Sequence, residues 1–250
     1  MNITIAGYGF VGKAHEMIFR QIGHINIVDP KINDYRVYDF HTDALVLCVA
    51  TPQREDGACE ISHVCDVLAD TDESIPVLIK STISLEGWGV IRESFPNHNL
   101  TFSPEFLREA NYLNDIKNLN NILIGGDDVV FWQNIFQEIF TNVSFTVASV
   151  EELILVKYFR NSFLATKVAF FNQIYDLCDT LNLDYDRVAE GVGIDLRITR
   201  SHTYVTEERG FGGHCFPKDT SALLYTARKF GYELTILNEA VEYNKKIRKQ

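Results

Sequence analysis

Ten residues near the start constrain the chain more than any others. Residues 3–6 (ITIA) are an apolar run, Gly7-Tyr8-Gly9-Phe10-Val11-Gly12 follows at once, and a helical pattern continues to about Gln21. A second apolar run, residues 25–28 (INIV), is closed by Asp29-Pro30, with Asp29 standing 22 residues after Gly7. A strand that turns through G-x-G-x-x-G into a helix, then returns to a strand ended by an acid, is the arrangement that holds a dinucleotide. Gly7 permits the tight turn, Gly9 lets the backbone approach a pyrophosphate, and Gly12 lets helix and strand pack closely. The helix N-terminus supplies amide hydrogens and the positive end of its dipole. Asp29 is expected to take the adenosine ribose hydroxyls and to repel a 2′-phosphate, which favours NAD over NADP; Lys31 beside it softens that preference.

The same rhythm continues. Apolar runs at 44–49, 77–80, 100–102, 122–124 and 143–147 alternate with helix-like stretches at 62–70, 85–94, 105–115 and 128–140. Strands alternating with helices predict an α/β fold with a Rossmann-type parallel sheet over residues 1–149. Ligands on such sheets sit outside the carboxyl ends of the strands. Thr51, Pro52, Ser81 and Thr82 follow strands and therefore join the expected cofactor site, and Ser103-Pro104-Glu105 lies on the same edge.

From Val150 the pattern changes to an all-helical domain over 150–250. Residues 151–181 contain no Gly or Pro and repeat Leu153, Val156, Phe159, Phe163, Leu164, Val168, Phe171, Ile174 and Leu177 at helical spacing. That is one long helix, apolar on more than one side, and a second copy of the chain is expected to cover it. A short helix at 186–191, a polar Gly-rich loop at 199–214, a helix opening at Pro217 and running to about Lys229, and a frayed basic tail at 244–250 complete the reading.

Charge and composition exclude several functions. Residues 1–150 hold 9 Lys and Arg against 20 Asp and Glu, and residues 151–250 hold 14 of each. So acidic a chain is a poor partner for nucleic acid or an anionic membrane surface. With 46% apolar and 23% charged residues it reads as an ordinary globule, not a disordered chain. No apolar run reaches the length of a membrane span, and no basic segment precedes an apolar one at the start, so no signal peptide is expected. The five cysteines, Cys48, Cys59, Cys65, Cys178 and Cys215, form no CxxC pair. Neither a disulfide framework nor a metal site is expected, and a reducing cytoplasm is the simpler compartment.

Most lone cysteines are small buried hydrophobes. Cys215 stands apart because it lies in Gly210-Phe211-Gly212-Gly213-His214-Cys215-Phe216-Pro217-Lys218-Asp219. It immediately precedes an expected helix N-terminus, with Lys218 close by, and both favour the thiolate. The glycines before it leave room for a substrate, and Asp219, four residues on, falls over the same end of the helix. Two further pairs share i,i+4 spacing. Lys157 and Asn161 are on one face of the long helix, as a cation and amide fit for an oxyanion or as ordinary helix polars. Glu105 and Glu109 are on one face of the turn after Ser103-Pro104, as acid/base groups or as surface charge.

Five stretches, GYGFVG, Ser103–Glu109 (SPEFLRE), Glu152-Leu153 with Lys157 and Asn161, Gly193–Ile198 (GIDLRI) and GFGGHCFPKD, span nearly the whole chain in one order. In these the chain resembles the UDP-glucose/GDP-mannose dehydrogenase family. The resemblance implies NAD-dependent, four-electron oxidation of a nucleotide-sugar alcohol to a carboxylate, of the kind that feeds polysaccharide biosynthesis. It implies Cys215 as nucleophile, Lys157 and Asn161 at the oxyanion, and Asp219 and Thr82 on the water. It implies Glu109 as an acid/base or water-orienting group, and Glu105 orienting Lys157. Phe106, Leu107, Arg108, Gly212 and Lys218 are implied at the substrate. The chain departs from the family at Ala110, where Gly is usual, and at Leu119-Asn120-Asn121, where Pro-Asp-Arg is usual. It also stops where the family's second Rossmann-like domain, which holds much of the nucleotide, is expected to begin. Two other readings stay open: a two-electron dehydrogenase of the β-hydroxyacid type, which relies on a Lys/Asn site with no thiol, and an NAD-binding remnant without turnover.

Overall fold

The computed structural model describes residues 1–249. Two compact units divide the chain, one formed by residues 1–54 and 59–157, the other by residues 55–58 and the chain from Tyr158 onward. The division falls inside the long helix.

The first unit is built on seven strands, β1 (Asn2–Ala6), β2 (His24–Val28), β3 (Ala44–Leu47), β4 (Val77–Ile79), β5 (Leu100–Phe102), β6 (Asn121–Gly126) and β7 (Ser144–Val147), in the order β2-β1-β3-β4-β5-β6-β7. Helices α1 (Phe10–Phe19), α2 (Ser62–Ala69), α3 (Leu85–Ser94), α4 (Tyr112–Lys117) and α5 (Val129–Ile139) connect them. Every residue of β3 and β4 is buried, as continuous apolar runs covered on both faces must be. Phe19, Trp132 and Phe136 close the core, with Phe19 and Phe136 rings 5.7 Å apart.

The mostly parallel sheet is as expected, with two local departures. The sheet is not wholly parallel, because β6 runs antiparallel to β5, with Thr101 opposite Gly126. The stretch 105–115 is also not one helix. Residues 103–108 are irregular, Glu109–Asn111 form a 3₁₀ turn, and α4 spans six residues. Both belong to the connection between β5 and β6. The Tyr112 ring at the start of α4 packs against Phe10 at the start of α1, with ring centroids 6.2 Å apart. The connection therefore stays at the edge where β1 ends, and the chain re-enters the sheet from that edge.

In the second unit α6 (Val150–Thr180) continues beyond Lys157, followed by α7 (Tyr185–Gly193), α8 (Cys215–Lys229) and α9 (Thr235–Ile247). Phe211 packs on Ala165, Val168 and Ala169 of α6, and Tyr185 and Ala189 of α7 join Phe171 and Cys178 in a second cluster. α8 starts at Cys215, two residues before Pro217. Pro217 sits in the first turn, where a missing N–H breaks no helical bond, so the helix can begin ahead of it. The frayed tail is also corrected. Residues 235–247 are helical, and Asn244 is buried. Leu237, Ala240, Val241 and Asn244 repeat at i, i+3, i+4 and i+7, a signal in the sequence that the basic residues beside it obscured. Among the described residues no helix is long and apolar enough to cross a membrane.

Candidate functional site

Strand order reverses at β1, whose neighbours are β2 and β3, so the glycine turn lies at the switch point where ligands bind such sheets. The turn is shaped by close approach. A Cβ on Gly12 would lie 2.1 Å from the Gly7 carbonyl oxygen, and one on Gly7, at φ +90°, would lie 2.6 Å from the Cys48 carbonyl. Gly9 differs, because a Cβ there would meet nothing within 4 Å. That open side faces the start of α1, whose cap Gly9 offers no side chain to the first-turn amides. Unclaimed N–H groups beside open space suit a pyrophosphate. Asp29 lies at the end of β2, as expected, but first ties the turn itself. One carboxylate oxygen accepts the Tyr8 N–H at 2.6 Å and the other the Lys31 N–H at 2.8 Å. Each oxygen keeps a lone pair for a ribose hydroxyl. The Tyr8 hydroxyl bonds Glu16, and this with burial pushes its pKa up to about 12. Phe10 and Val11 form the first turn of α1.

At the exits of β3 and β4, the Cys59 thiol donates to the main-chain carbonyls of Thr51 (3.7 Å) and Thr82 (3.3 Å), an ordinary structural cysteine. The Ser81 hydroxyl donates to Val49 at 2.7 Å, so it braces the β3 exit. Pro52 is exposed.

Glu105 and Glu109 do not share a face. Glu109 is exposed on the 3₁₀ turn, while the Glu105 carboxylate is drawn inward, 3.2 Å from the buried Lys80 ammonium. Lys80 also donates to Ser103 at 3.0 Å. Burial pushes the Glu105 pKa up, but Lys80, His15 and the Phe106 amide outweigh it and leave the group below the ordinary carboxylate value. His15, 3.7 Å away, is held uncharged at neutral pH, because burial and Lys80 lower its pKa to about 4. Lys80 and His15 are the groups that sequence reasoning missed. A lone lysine at a strand end carries no pattern.

Glu105 was expected to orient Lys157, and the contact between them is made by its main chain and not by its carboxylate. The buried Lys157 ammonium donates to the Glu105 main-chain carbonyl at 2.5 Å and lies 5.3 Å over the Phe106 ring. Two residues expected at the substrate have partners within their own unit. Leu107 is buried in the core of the first unit, and Arg108 is committed to an ion pair with Asp115 at 2.6 Å.

In the second unit Cys215 is exposed at the first position of α8. Burial pushes the Cys48 and Cys65 thiols up, and Cys59 and Cys178 are buried. Asp219, 1% exposed, accepts from the Asn161 carboxamide at 2.5 Å, and Lys218 pairs with its other oxygen at 2.9 Å. Lys218 is thus engaged by Asp219. Gly212 does not open a path to the thiol. A Cβ there would lie 2.3 Å from the Arg248 guanidinium, so the glycine makes room for Arg248. Gly213, with open space around it, is the one that leaves room.

Fold and turn together define a dinucleotide-binding α/β unit joined to a helical unit that carries an exposed cysteine. Comparison with known proteins narrows this. The NAD-binding domain of the UDP-glucose/GDP-mannose dehydrogenase family matches residues 32–144, and the family's central domain matches residues 151–246. UDP-glucose 6-dehydrogenase of Rickettsia typhi is 29% identical over 98% of this chain and 67% of its own length. TuaD, the Bacillus subtilis UDP-glucose 6-dehydrogenase, is 30% identical over 89% of this chain and 51% of its own length. The structure of a UDP-glucose dehydrogenase from Pyrobaculum islandicum superposes with a TM-score of 0.84 at 27% identity, covering 98% of this chain and 68% of that one. The chain belongs to the UDP-glucose/GDP-mannose dehydrogenase family and carries its NAD-binding and central domains. It spans between about half and two thirds of the length of these curated relatives.

Proposed function

We propose that the chain catalyses NAD-dependent, four-electron oxidation of a nucleotide sugar, of the UDP-glucose to UDP-glucuronate type. The observation that carries this is Cys215, exposed at the head of α8, four residues before a buried Asp219 bonded to Asn161. The substrates in the relatives' names agree with it. The Gly7–Gly12 turn and Asp29 would hold NAD, which would supply the hydride acceptor for the oxidation of the alcohol to an aldehyde, the hydroxyl proton passing to solvent. The thiolate of Cys215 adds to the resulting aldehyde, forming a C–S bond and an alkoxide. N–H groups of Lys157 and Asn161 hold that oxygen in turn. Loss of a second hydride, for which a second molecule of NAD would be the acceptor at the same turn, leaves a thioester. Asp219 takes a proton from water, Thr82 orients it, and attack expels the Cys215 thiolate with the acid. Glu109 stands as a further acid/base group.

The test is stoichiometry. Moles of NADH formed per mole of UDP-glucose consumed should be two. A value of one would mean a two-electron dehydrogenase. None, with NADH still bound, would mean a binding protein without turnover, and either result removes the proposal.

A further inference from the structure

The loop that leads into Cys215 has an unusual backbone. Arg209 (φ 59°), Gly210 (φ 57°) and Gly213 (φ 74°) all lie in the left-handed region. The two glycines adopt that region without penalty, whereas Arg209 holds it only because its surroundings impose it.

The surroundings are two carboxamides and a guanidinium. Asn244 of α9 accepts from the Phe211 N–H at 2.6 Å and donates to the Phe211 carbonyl at 3.0 Å, clasping both sides of one residue. Asn172 of α6 accepts from the Gly210 N–H and from the Arg209 Nε, each at 3.0 Å. Arg248 donates to the Arg209 carbonyl at 2.9 Å. The fit at Asn244 is tight enough to dictate its neighbour: a Cβ on Gly210 would lie 2.1 Å from the Asn244 Oδ1. Asn is a poor residue for a helix interior. Its presence in α9, buried, on the apolar stripe with Leu237, Ala240 and Val241, is accounted for by this clasp. Beyond Cys215, the other end of the reactive segment is fixed by the Asp219–Asn161 bond.

We propose that Asn244 is a positioning residue for Cys215, acting through the Phe211 peptide to hold the sulfur at the N–H end of α8. This rests on Cys215 being the reactive thiol, and its test does not depend on turnover. The test is the rate of Cys215 alkylation by iodoacetamide, followed by peptide mass spectrometry, in the parent, Asn244→Ala and Leu237→Ala. Leu237 lies on the same helix and is buried, but it does not bond the loop. Measured well below both melting temperatures, Asn244→Ala should slow alkylation at least about fivefold as the first turn of α8 loosens. Leu237→Ala should leave it at the parent rate despite its stability loss. An unchanged or faster rate in Asn244→Ala overturns the proposal, and so does equal slowing in both variants. If Asn244→Ala does not fold, Asn244→Ser is used in its place. In the parent, the Phe211 amide should exchange with deuterium as slowly as the α6 amides. Rapid exchange also overturns the proposal. Absence of turnover with all these results as expected would count against the proposed reaction only.

Discussion

At Glu105 the carboxylate and the main-chain carbonyl of one residue serve two different lysines. The carboxylate meets Lys80, the carbonyl meets Lys157, and the Phe106 and Leu107 amides cap the remaining carboxylate oxygen at 2.8 and 3.2 Å. Burying such a pair is costly, and removing one partner leaves an uncompensated charge. The neighbour His15 gives a pH dependence whose sign can be worked out. Unfolded, it binds a proton near its usual 6.5; folded, burial and Lys80 hold it off until about 4. Between those values the unfolded state binds more protons, so stability is full above 6.5 and is lost as pH falls toward 4, by about 3 kcal/mol in all. Thermal unfolding of His15→Gln should lose less stability than the parent across pH 6.5 to 4. Parallel curves for the two proteins would show that His15 is not the source.

Among the described elements, α6 exposes a stripe of large apolar side chains. Phe159, Phe163, Phe170 and Leu177 are each at least half exposed, and their 4-7-7 spacing puts them in one stripe. Burying such side chains gains about 1.5–3 kcal/mol each. We propose that a second copy of α6 covers this stripe, making a homodimer. Sedimentation at micromolar concentration should give a dimer for the parent and a monomer for Phe163→Glu/Phe170→Glu. A monomeric parent would leave the stripe without this explanation. Much of α6 was legible because 31 residues without Gly or Pro have few alternatives. α9 was not, since its short apolar stripe ends among lysines.

For the whole molecule, each unit has its own hydrophobic core, and the glycine turn and Cys215 belong to different units. Cys215→Ala should therefore bind NADH as the parent does in a fluorescence titration, and both should bind NADPH more weakly. A loss of more than about tenfold in NADH affinity in the variant, about 1.4 kcal/mol, would contradict that separation. The sequence by itself determined what depends on neighbours along the chain. These are the strand-turn-helix at Gly7–Gly12, the acid closing β2, the alternation of strands and helices, the uninterrupted α6, and the cysteine set among glycines before Pro217. Such features follow from local sterics and periodicity, which a few consecutive residues contain. Only the tertiary structure decided the antiparallel β6, the pairing of Glu105 with Lys80, the turn of Lys157 to a carbonyl, the capture of Lys218 by Asp219, and the clasp of Asn244 on Phe211. Each of these joins groups tens of residues apart or chooses among several partners in reach. Burial makes that choice, because a polar group shut away from water must take the partner the packing provides.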